Sequence, residues 1–312
     1  MSETPYISVV VPVYNEEGNL RPLFARLYPA MKKLSRPFEI IFTDDGSRDR
    51  SIEILKELAA LHPEVKVVEF NGNFGQHMAI MAAFEKCSGE IIVTIDADLQ
   101  NPPEEIAKLV AEMEKGHDVV GSIRQKRQDT FFRRTASMLV NIATRKMTGM
   151  KMSDYGCMLR AYHRNIIDNI NRCQEASTFI PALAQSFASN PSEVEVADAE
   201  RTEGESKYSL YKLIRLNFDL MTGFSVVPLQ LFALMGILTS LFAVAFALFL
   251  LIRRFIVGAE VEGVFTLFAI LFFFLGITIF GIGIVGEYVG RIYQEVRRRP
   301  RYVVRRTHGF EE

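Results

Sequence analysis

The sequence predicts an α/β domain, a parallel sheet flanked by helices, with a membrane module after it. Three observations lead there. Strand and helix signals alternate through the first two thirds of the 312-residue chain. The polar clusters of that region fall where apolar strands end, and in open α/β sheets that edge is where ligands bind. Farther on, Ser225 to Ile252 and Gly263 to Gly286 are each apolar enough and long enough to span a bilayer.

Taken in order, the first strand is Ile7 to Val11, with Pro12 expected to end its ladder because proline lacks an N–H. Leu20, Leu23, Phe24, Leu27, Met31 and Leu34 then recur at helical spacing, so one apolar face packs on the sheet. A second strand, Phe38 to Thr43, runs into Asp44-Asp45-Gly46-Ser47, and a helix follows from near Arg50 to Leu61. Val65 to Glu69 is the third strand, a helix begins after Asn73-Phe74-Gly75, and the apolar run Ile91 to Ile95 leads to Asp96. Beyond it, segments 131–148 and 208–222 mix apolar Met138, Leu139, Ile142, Leu213, Leu216 and Leu220 with Arg133, Arg134, Arg145, Lys146, Lys212 and Arg215. These read as basic amphipathic helices on an anionic membrane surface or as ordinary surface helices, and the apolar spans directly downstream favour the first. After Pro300, Arg301 to Val304 reads as a short strand that adds to a neighbouring subunit's sheet edge, or else as part of a basic tail.

The domains expected are therefore 1–223, interfacial helices included, a membrane module at 224–290, and a basic tail at 291–312. The first apolar run is only strand length and no basic segment precedes it, so no signal peptide is expected and the first domain stays in the cytosol. Lys207, Lys212 and Arg215 precede the first span, and Arg291, Arg297, Arg298, Arg299, Arg301, Arg305 and Arg306 follow the second. The connector balances Arg253 and Arg254 against Glu260 and Glu262, so both termini are expected in the cytosol and the connector outside. A formal net charge of -1 argues against the basic footprint of a general nucleic-acid binder. Cys87, Cys157 and Cys173 are widely spaced without a CxxC pair, as reduced structural thiols would be.

Three loops carry candidate chemistry. In Pro12-Val13-Tyr14-Asn15-Glu16, Tyr14 can stack on a base and Glu16 can accept its hydrogen bonds, or the segment is simply a capped strand-to-helix turn. In Asp44-Asp45-Gly46-Ser47 the glycine permits a tight turn and Asp45 suits a uracil or ribose, with helix capping by Asp44 or Ser47 as the rival. Asp96-Ala97-Asp98-Leu99-Gln100 is the sharper signal. Paired acids at the end of a run of isoleucine and valine are costly unless a charge compensates them, and Mg²⁺ or Mn²⁺ bridging a diphosphate does so. His77 is a phosphate or sugar contact or an ordinary residue of a helix start.

The combination resembles the inverting family 2 glycosyltransferases of the GT-A fold, and within them the polyisoprenyl-phosphate glycosyltransferases. The resemblance rests on Asn73-Phe74-Gly75-Gln76-His77, Asp96 to Pro103, Arg124-Gln125, Asp154 to Tyr162, Ser177 to Pro181, Gly204 to Ser209, Gly286-Glu287-Tyr288 and Arg299 to Tyr302, and covers nearly the whole chain. It implies a GT-A, Rossmann-like nucleotide-sugar-binding domain followed by amphipathic interfacial helices and two transmembrane helices, in a bacterial inner membrane. The Asp154 and Ser177 strings point to the branch that carries 4-deoxy-4-formamido-L-arabinose from UDP to undecaprenyl phosphate, for lipid A modification and polymyxin resistance. By the same resemblance Pro12, Tyr14, Glu16, Asp45, Gln76 and Asp96 would contact the nucleotide, while Asp96, Asp98 and Gln100 would surround Mg²⁺ or Mn²⁺. Arg124, Arg134, Ser137, Arg201 and Lys207 would form the acceptor-phosphate site. Asp98 would act in catalysis, and Asp154 would be catalytic, sugar-orienting or merely structural. Related enzymes are tetramers, so a homo-oligomer is expected.

A phosphate monoester has its second pKa near about 6, so such an acceptor needs no strong general base. Glucose or mannose donors remain open, as does a membrane scaffold that binds nucleotide sugars without turnover. A processive polysaccharide synthase would carry Gln-x-x-Arg-Trp, and this chain has no tryptophan. Two spans free of internal charge give little support to a channel.

Overall fold

The computed structural model describes residues 4–124, 157–173, 179–197, 227–257, 264–297 and 299–310. They fall into two compact units, one holding the described residues up to 197 together with 299–310, the other holding the two long apolar helices.

In the first unit the alternation read from the sequence is present: β1 (Ile7–Val13), α1 (Glu17–Lys33), β2 (Phe38–Asp44), α2 (Ser51–Leu61), β3 (Val65–Phe70), α3 (Gln76–Phe84) and β4 (Ile91–Thr94). A 3₁₀ turn, Pro103–Glu105, leads into α4 (Ile106–Met113), then β5 (Val119–Arg124), β6 (Arg160–His163), α5 (Arg164–Arg172), α6 (Ile180–Phe187) and β7 (Pro191–Val196). The last strand is β8 (Val304–His308). The eight strands form one sheet in the order β7-β5-β6-β4-β1-β2-β3-β8. β1, β2 and β4 are buried at every position, as strands covered on both faces must be. Leu20, Leu23, Phe24, Leu27 and Met31 of α1 are buried with them, the face that the helical spacing predicts.

The structure corrects the sequence reading at three points. The sheet is mixed, because β6 runs antiparallel to β4 and β5, and β8 antiparallel to β3. β6 was hidden by its composition: Arg160 is buried between its neighbours, so the strand lacks the apolar run that marks β1 to β4. Pro12 does not end β1 but lies inside it, paired with Thr43. Val10 accepts from the Ile95 N–H on the β4 side and Val13 accepts from the Asp45 N–H on the β2 side, so Pro12 turns its missing donor toward β4. That ladder stops at Thr94, so the missing donor breaks nothing there.

The third correction concerns the C-terminal segment. Its strand begins at Val304 and completes this chain's own sheet, with His308, Thr307, Arg306 and Val304 opposite Val67, Val68, Glu69 and Phe70. Tyr302 stacks on Phe70 at 5.0 Å, and the Arg301 guanidinium donates to the Cys173 carbonyl. The edge of β3 is covered at home, which removes the structural reason for reading this strand as a link between subunits.

A buried polar knot fastens the sheet at the opposite edge from the loops. Glu39, 1% exposed, accepts from Ser8 Oγ at 2.6 Å, Lys66 Nζ at 2.7 Å, Ser88 N at 2.6 Å and Ser88 Oγ at 2.9 Å. Burial pushes its pKa up, but these bonds outweigh burial and hold it below the usual glutamate range. A depressed carboxylate pKa stabilises the fold above the unfolded value of about 4.5, and that stability is lost as pH falls through the folded value. Lys66→Met leaves this carboxylate buried without its cation and is expected to cost about 3 kcal/mol, read as a lower denaturation midpoint at pH 7. The deficit should shrink below pH 4.

The second unit consists of α7 (Val227–Val257) and α8 (Val264–Val296). Each begins just inside the expected spans of about 225–252 and 263–286 and runs past them at its C-terminal end. Among the described residues, one helix is long and apolar enough to cross a membrane, through the window Phe273–Gly290 of α8, and α7 carries the shorter apolar stretch Leu229–Ala243. Large apolar side chains such as Leu238, Phe242, Phe273 and Ile282 are exposed. The two helices touch where Phe232 packs over Gly281, at which a Cβ would stand 1.6 Å from the ring. The expected interfacial helices at 131–148 and 208–222 lie outside the described residues.

Candidate active site

The loops that leave β1 and β2 are tied to one another by side chains bonding to backbone. Asn15 N donates to Ser47 Oγ at 3.0 Å, and Asn15 Oδ1 accepts from Arg48 N at 2.8 Å. Glu16 N donates to Ser51 Oγ at 2.9 Å, Glu17 N to Asp49 Oδ2 at 3.1 Å, and Arg50 N to Glu17 Oε2 at 3.0 Å. Asn15 holds φ 55°, a left-handed value that asparagine tolerates through such local bonds. The Glu16 carboxylate accepts from Asn19 Nδ2 at 2.6 Å, and Tyr14 stands 43% exposed beside it.

Asp44 closes a turn by accepting from Ser47 N at 3.3 Å. Neither it nor Ser47 caps α2, whose first N–H, from Ser51, is taken by Asp49 Oδ1 at 3.0 Å. Burial, with the nearby charges of Glu69 and Asp49, raises the Asp44 pKa against the pull of its Ser47 bonds. Gly46 sits at φ +70° with Gly72 so close that a Cβ would meet its carbonyl carbon at 2.5 Å, so no other residue fits.

Asp45 is buried and clamps the loop before α3, its Oδ1 accepting from Phe74 N at 2.6 Å and its Oδ2 from Gly75 N at 2.9 Å. Burial raises its pKa, and the two N–H groups oppose the rise. Each oxygen keeps a second lone pair for a ligand. Gln76, at the start of α3, donates from Nε2 to Asp96 Oδ1 at 2.6 Å, so it orients the first acid of the Asp-Ala-Asp set.

That set turns sharply. Ala97 is buried between Asp96 and Asp98, Asp98 Oδ1 accepts from Gln100 N at 3.1 Å, and Leu99 adopts φ 62°, a strained value for leucine. Leu99 packs against the core, which holds the strain in place. Behind it Asn101 is buried, with its Oδ1 3.4 Å from Cys157 Sγ, and Ser122 Oγ donates to the Leu159 carbonyl at 2.6 Å. The buried, unbridged Cys157 thus fixes the chain just after the segment that carries Asp154, as a structural thiol.

The structure therefore brings Tyr14, Glu16, Asp45, Gln76, Asp96, Asp98 and Gln100 to the loops at one edge of the sheet, with Pro12 buried in the adjoining strand. Arg124 is the last residue of β5. Arg134, Ser137, Asp154, Arg201 and Lys207 lie outside the described residues. Among the described residues no three His, Cys, Asp or Glu side chains form a metal cluster. Two carboxylates and an amide are nevertheless a fitting donor set for a hard cation whose remaining ligands are water and diphosphate oxygens, the usual manner of Mg²⁺. Sequence reasoning missed the loop lacing by Ser47, Asp49 and Ser51 and the clamp on Phe74 and Gly75, since backbone N–H partners leave no mark on composition.

Residues 8–170 match the family model described as Glycosyl transferase family 2. The chain is 52% identical over 301 residues to the undecaprenyl-phosphate 4-deoxy-4-formamido-L-arabinose transferase of Aeromonas hydrophila subsp. hydrophila, covering 96% of this chain and 92% of that one. The transferase of the same name from Yersinia enterocolitica is 50% identical over 310 residues, covering 98% and 94%. A mycobacterial protein of known crystal structure has a similar fold, with a TM-score of 0.50 and 20% identity over 70% of this chain and 73% of that one.

Proposed function

On the premise that this chain belongs to glycosyl transferase family 2 and is a sugar transferase of the polyprenyl-phosphate kind, we propose that it moves 4-deoxy-4-formamido-L-arabinose from a UDP donor to undecaprenyl phosphate. The observation that carries the chemistry is the Asp96-Ala97-Asp98 turn at the ligand-binding edge of the sheet, with Asp96 held by Gln76. Support for the sugar and the lipid comes from the relatives of that name, which match over nearly the full chain.

In the reaction a phosphate oxygen of the acceptor attacks the anomeric carbon, the bond from that carbon to the UDP oxygen breaks, and the configuration inverts. Tyr14 stacks on the uracil ring, while Asp45 and Glu16 accept hydrogen bonds from the nucleoside. Asp96, Asp98 and Gln100 would hold Mg²⁺ or Mn²⁺, which supplies Lewis-acid stabilisation of the departing diphosphate. Arg124, Arg134, Arg201 and Lys207 neutralise the acceptor phosphate so that two anions can approach, arginine doing so with a planar fork of donors, and the Ser137 hydroxyl donates to it. The phosphate is already mostly ionised at neutral pH, so alignment matters more than a base. Asp154 orients the sugar.

The apolar, exposed surface of α7 and α8 supports a membrane setting where the lipid acceptor resides, the inner membrane of a bacterium with the catalytic unit and both termini in the cytosol. Lipid A modification and polymyxin resistance follow from the sugar. The assembly we propose is a homo-oligomer, a tetramer, to be tested by crosslinking in detergent. The deciding experiment incubates purified enzyme with undecaprenyl phosphate and a panel of UDP-sugars, with Mg²⁺, Mn²⁺ or chelator. The expected outcome is a lipid product heavier by the formamido-pentose, formed only with cation. Tight UDP binding without lipid-linked product under any cation would sink the reading.

A further inference from the structure

His77 is the second residue of α3, between Gln76, which holds Asp96, and the body of the helix. Its ring meets Phe179, the residue before α6, edge to face at 5.3 Å and 73°. The residue keeps a little exposed surface, yet its Nδ1 is sealed from solvent and has no hydrogen-bond partner among the described residues. A sealed, unpaired nitrogen costs stability, and native proteins keep few of them without a use. The contrast with the surrounding loops is sharp, because the backbone N–H groups of Asn15, Glu16, Glu17, Phe74 and Gly75 all have side-chain partners there.

Burial alone draws the imidazole pKa down to about 4, so the ring is neutral at physiological pH. A neutral ring with an aromatic neighbour suits an uncharged polar group on a sugar, whereas a diphosphate would call for a cation. We propose that His77 is a specificity-determining residue of the donor site, its Nδ1, uncovered as the donor enters, forming a hydrogen bond to a hydroxyl or amide substituent of the sugar. This deepens the donor reading and rests on it.

His77→Phe keeps the ring and its contact with Phe179 but deletes the nitrogen, and His77→Asn restores a polar atom near the Nδ1 position. Calorimetry on the full-length enzyme in detergent would compare UDP with UDP-4-deoxy-4-formamido-L-arabinose, and thermal melts would follow the ligand-free protein. For His77→Phe the expected result is unchanged UDP affinity, about tenfold weaker binding of the UDP-sugar, and a ligand-free Tm higher by about 2–4 °C. His77→Asn should regain part of the lost affinity. Equal weakening of UDP and UDP-sugar, undiminished sugar binding, or a lower ligand-free Tm in His77→Phe would overturn the assignment. Wild-type enzyme that binds no UDP-sugar would instead overturn the donor reading itself, and the assignment with it.

Discussion

Asp98→Asn is expected to lower turnover by about 10²- to 10³-fold with the fold intact. Asparagine keeps an oxygen at the Oδ1 position, so the bond from Gln100 N and the strained φ of Leu99 both survive the substitution. What it removes is the negative charge assigned to the cation of the proposed mechanism. At 1.36 kcal/mol per decade the loss corresponds to about 3–4 kcal/mol of transition-state stabilisation. The measurement is single-turnover release of UDP in the presence of undecaprenyl phosphate, beside a thermal melt. Wild-type turnover in Asp98→Asn would refute the metal assignment.

The second large effect is expected from a stop codon after Arg298, which removes β8 and the segment before it. Phe70, 2% exposed, loses the stacked Tyr302, and Glu69, 5% exposed, loses Arg305 and His308 and keeps Lys56. Uncovering on the order of 100 Å² of apolar surface at about 25 cal/mol per Å² costs about 2.5 kcal/mol before the charge terms are counted. Phe70 also meets Phe74 edge to face at 5.6 Å, and Phe74 N is one of the two donors clamped by Asp45. Nucleotide binding should therefore weaken along with stability, read as a lower Tm and a raised Kd for UDP. In the intact chain this contact is acid-sensitive. Burial raises the Glu69 pKa, but its bonds from Lys56 and His308 and the nearby charge of Arg305 outweigh burial and hold it low. The stabilisation is present above about pH 4.5 and fades as pH falls through the lowered value.

The parallel half of the sheet was legible because β1 to β4 are largely apolar runs separated by helical segments, the first of which spells out its apolar face by spacing, and the turn at Asp96 was legible because acids follow such a run directly. β6 was not, since its buried Arg160 mimics a surface residue in composition. A short strand was read at Arg301 to Val304, whereas β8 runs from Val304 to His308, and its partner was not legible because it meets β3 only after both long helices have intervened in the chain. At the site, residue types singled out loops that the structure gathers at one edge of the sheet. The jobs that the structure gives Asp45 and Gln76 depend on which atoms converge in space, and spacing along the chain does not encode that. His77 is the plainest case, since its meaning lies in a partner that Nδ1 lacks.

The late arrival of β8 has a consequence for biosynthesis. While α7 and α8 are still emerging from the ribosome, the outer ladder of β3 is bare, and an unpaired strand edge invites association between nascent chains. Lys66 and Glu69 sit on that strand and discourage such pairing until the final strand arrives. The catalytic sheet is thus finished only after the helices that follow it have been made, so polypeptides interrupted midway should be aggregation-prone intermediates without a closed sheet.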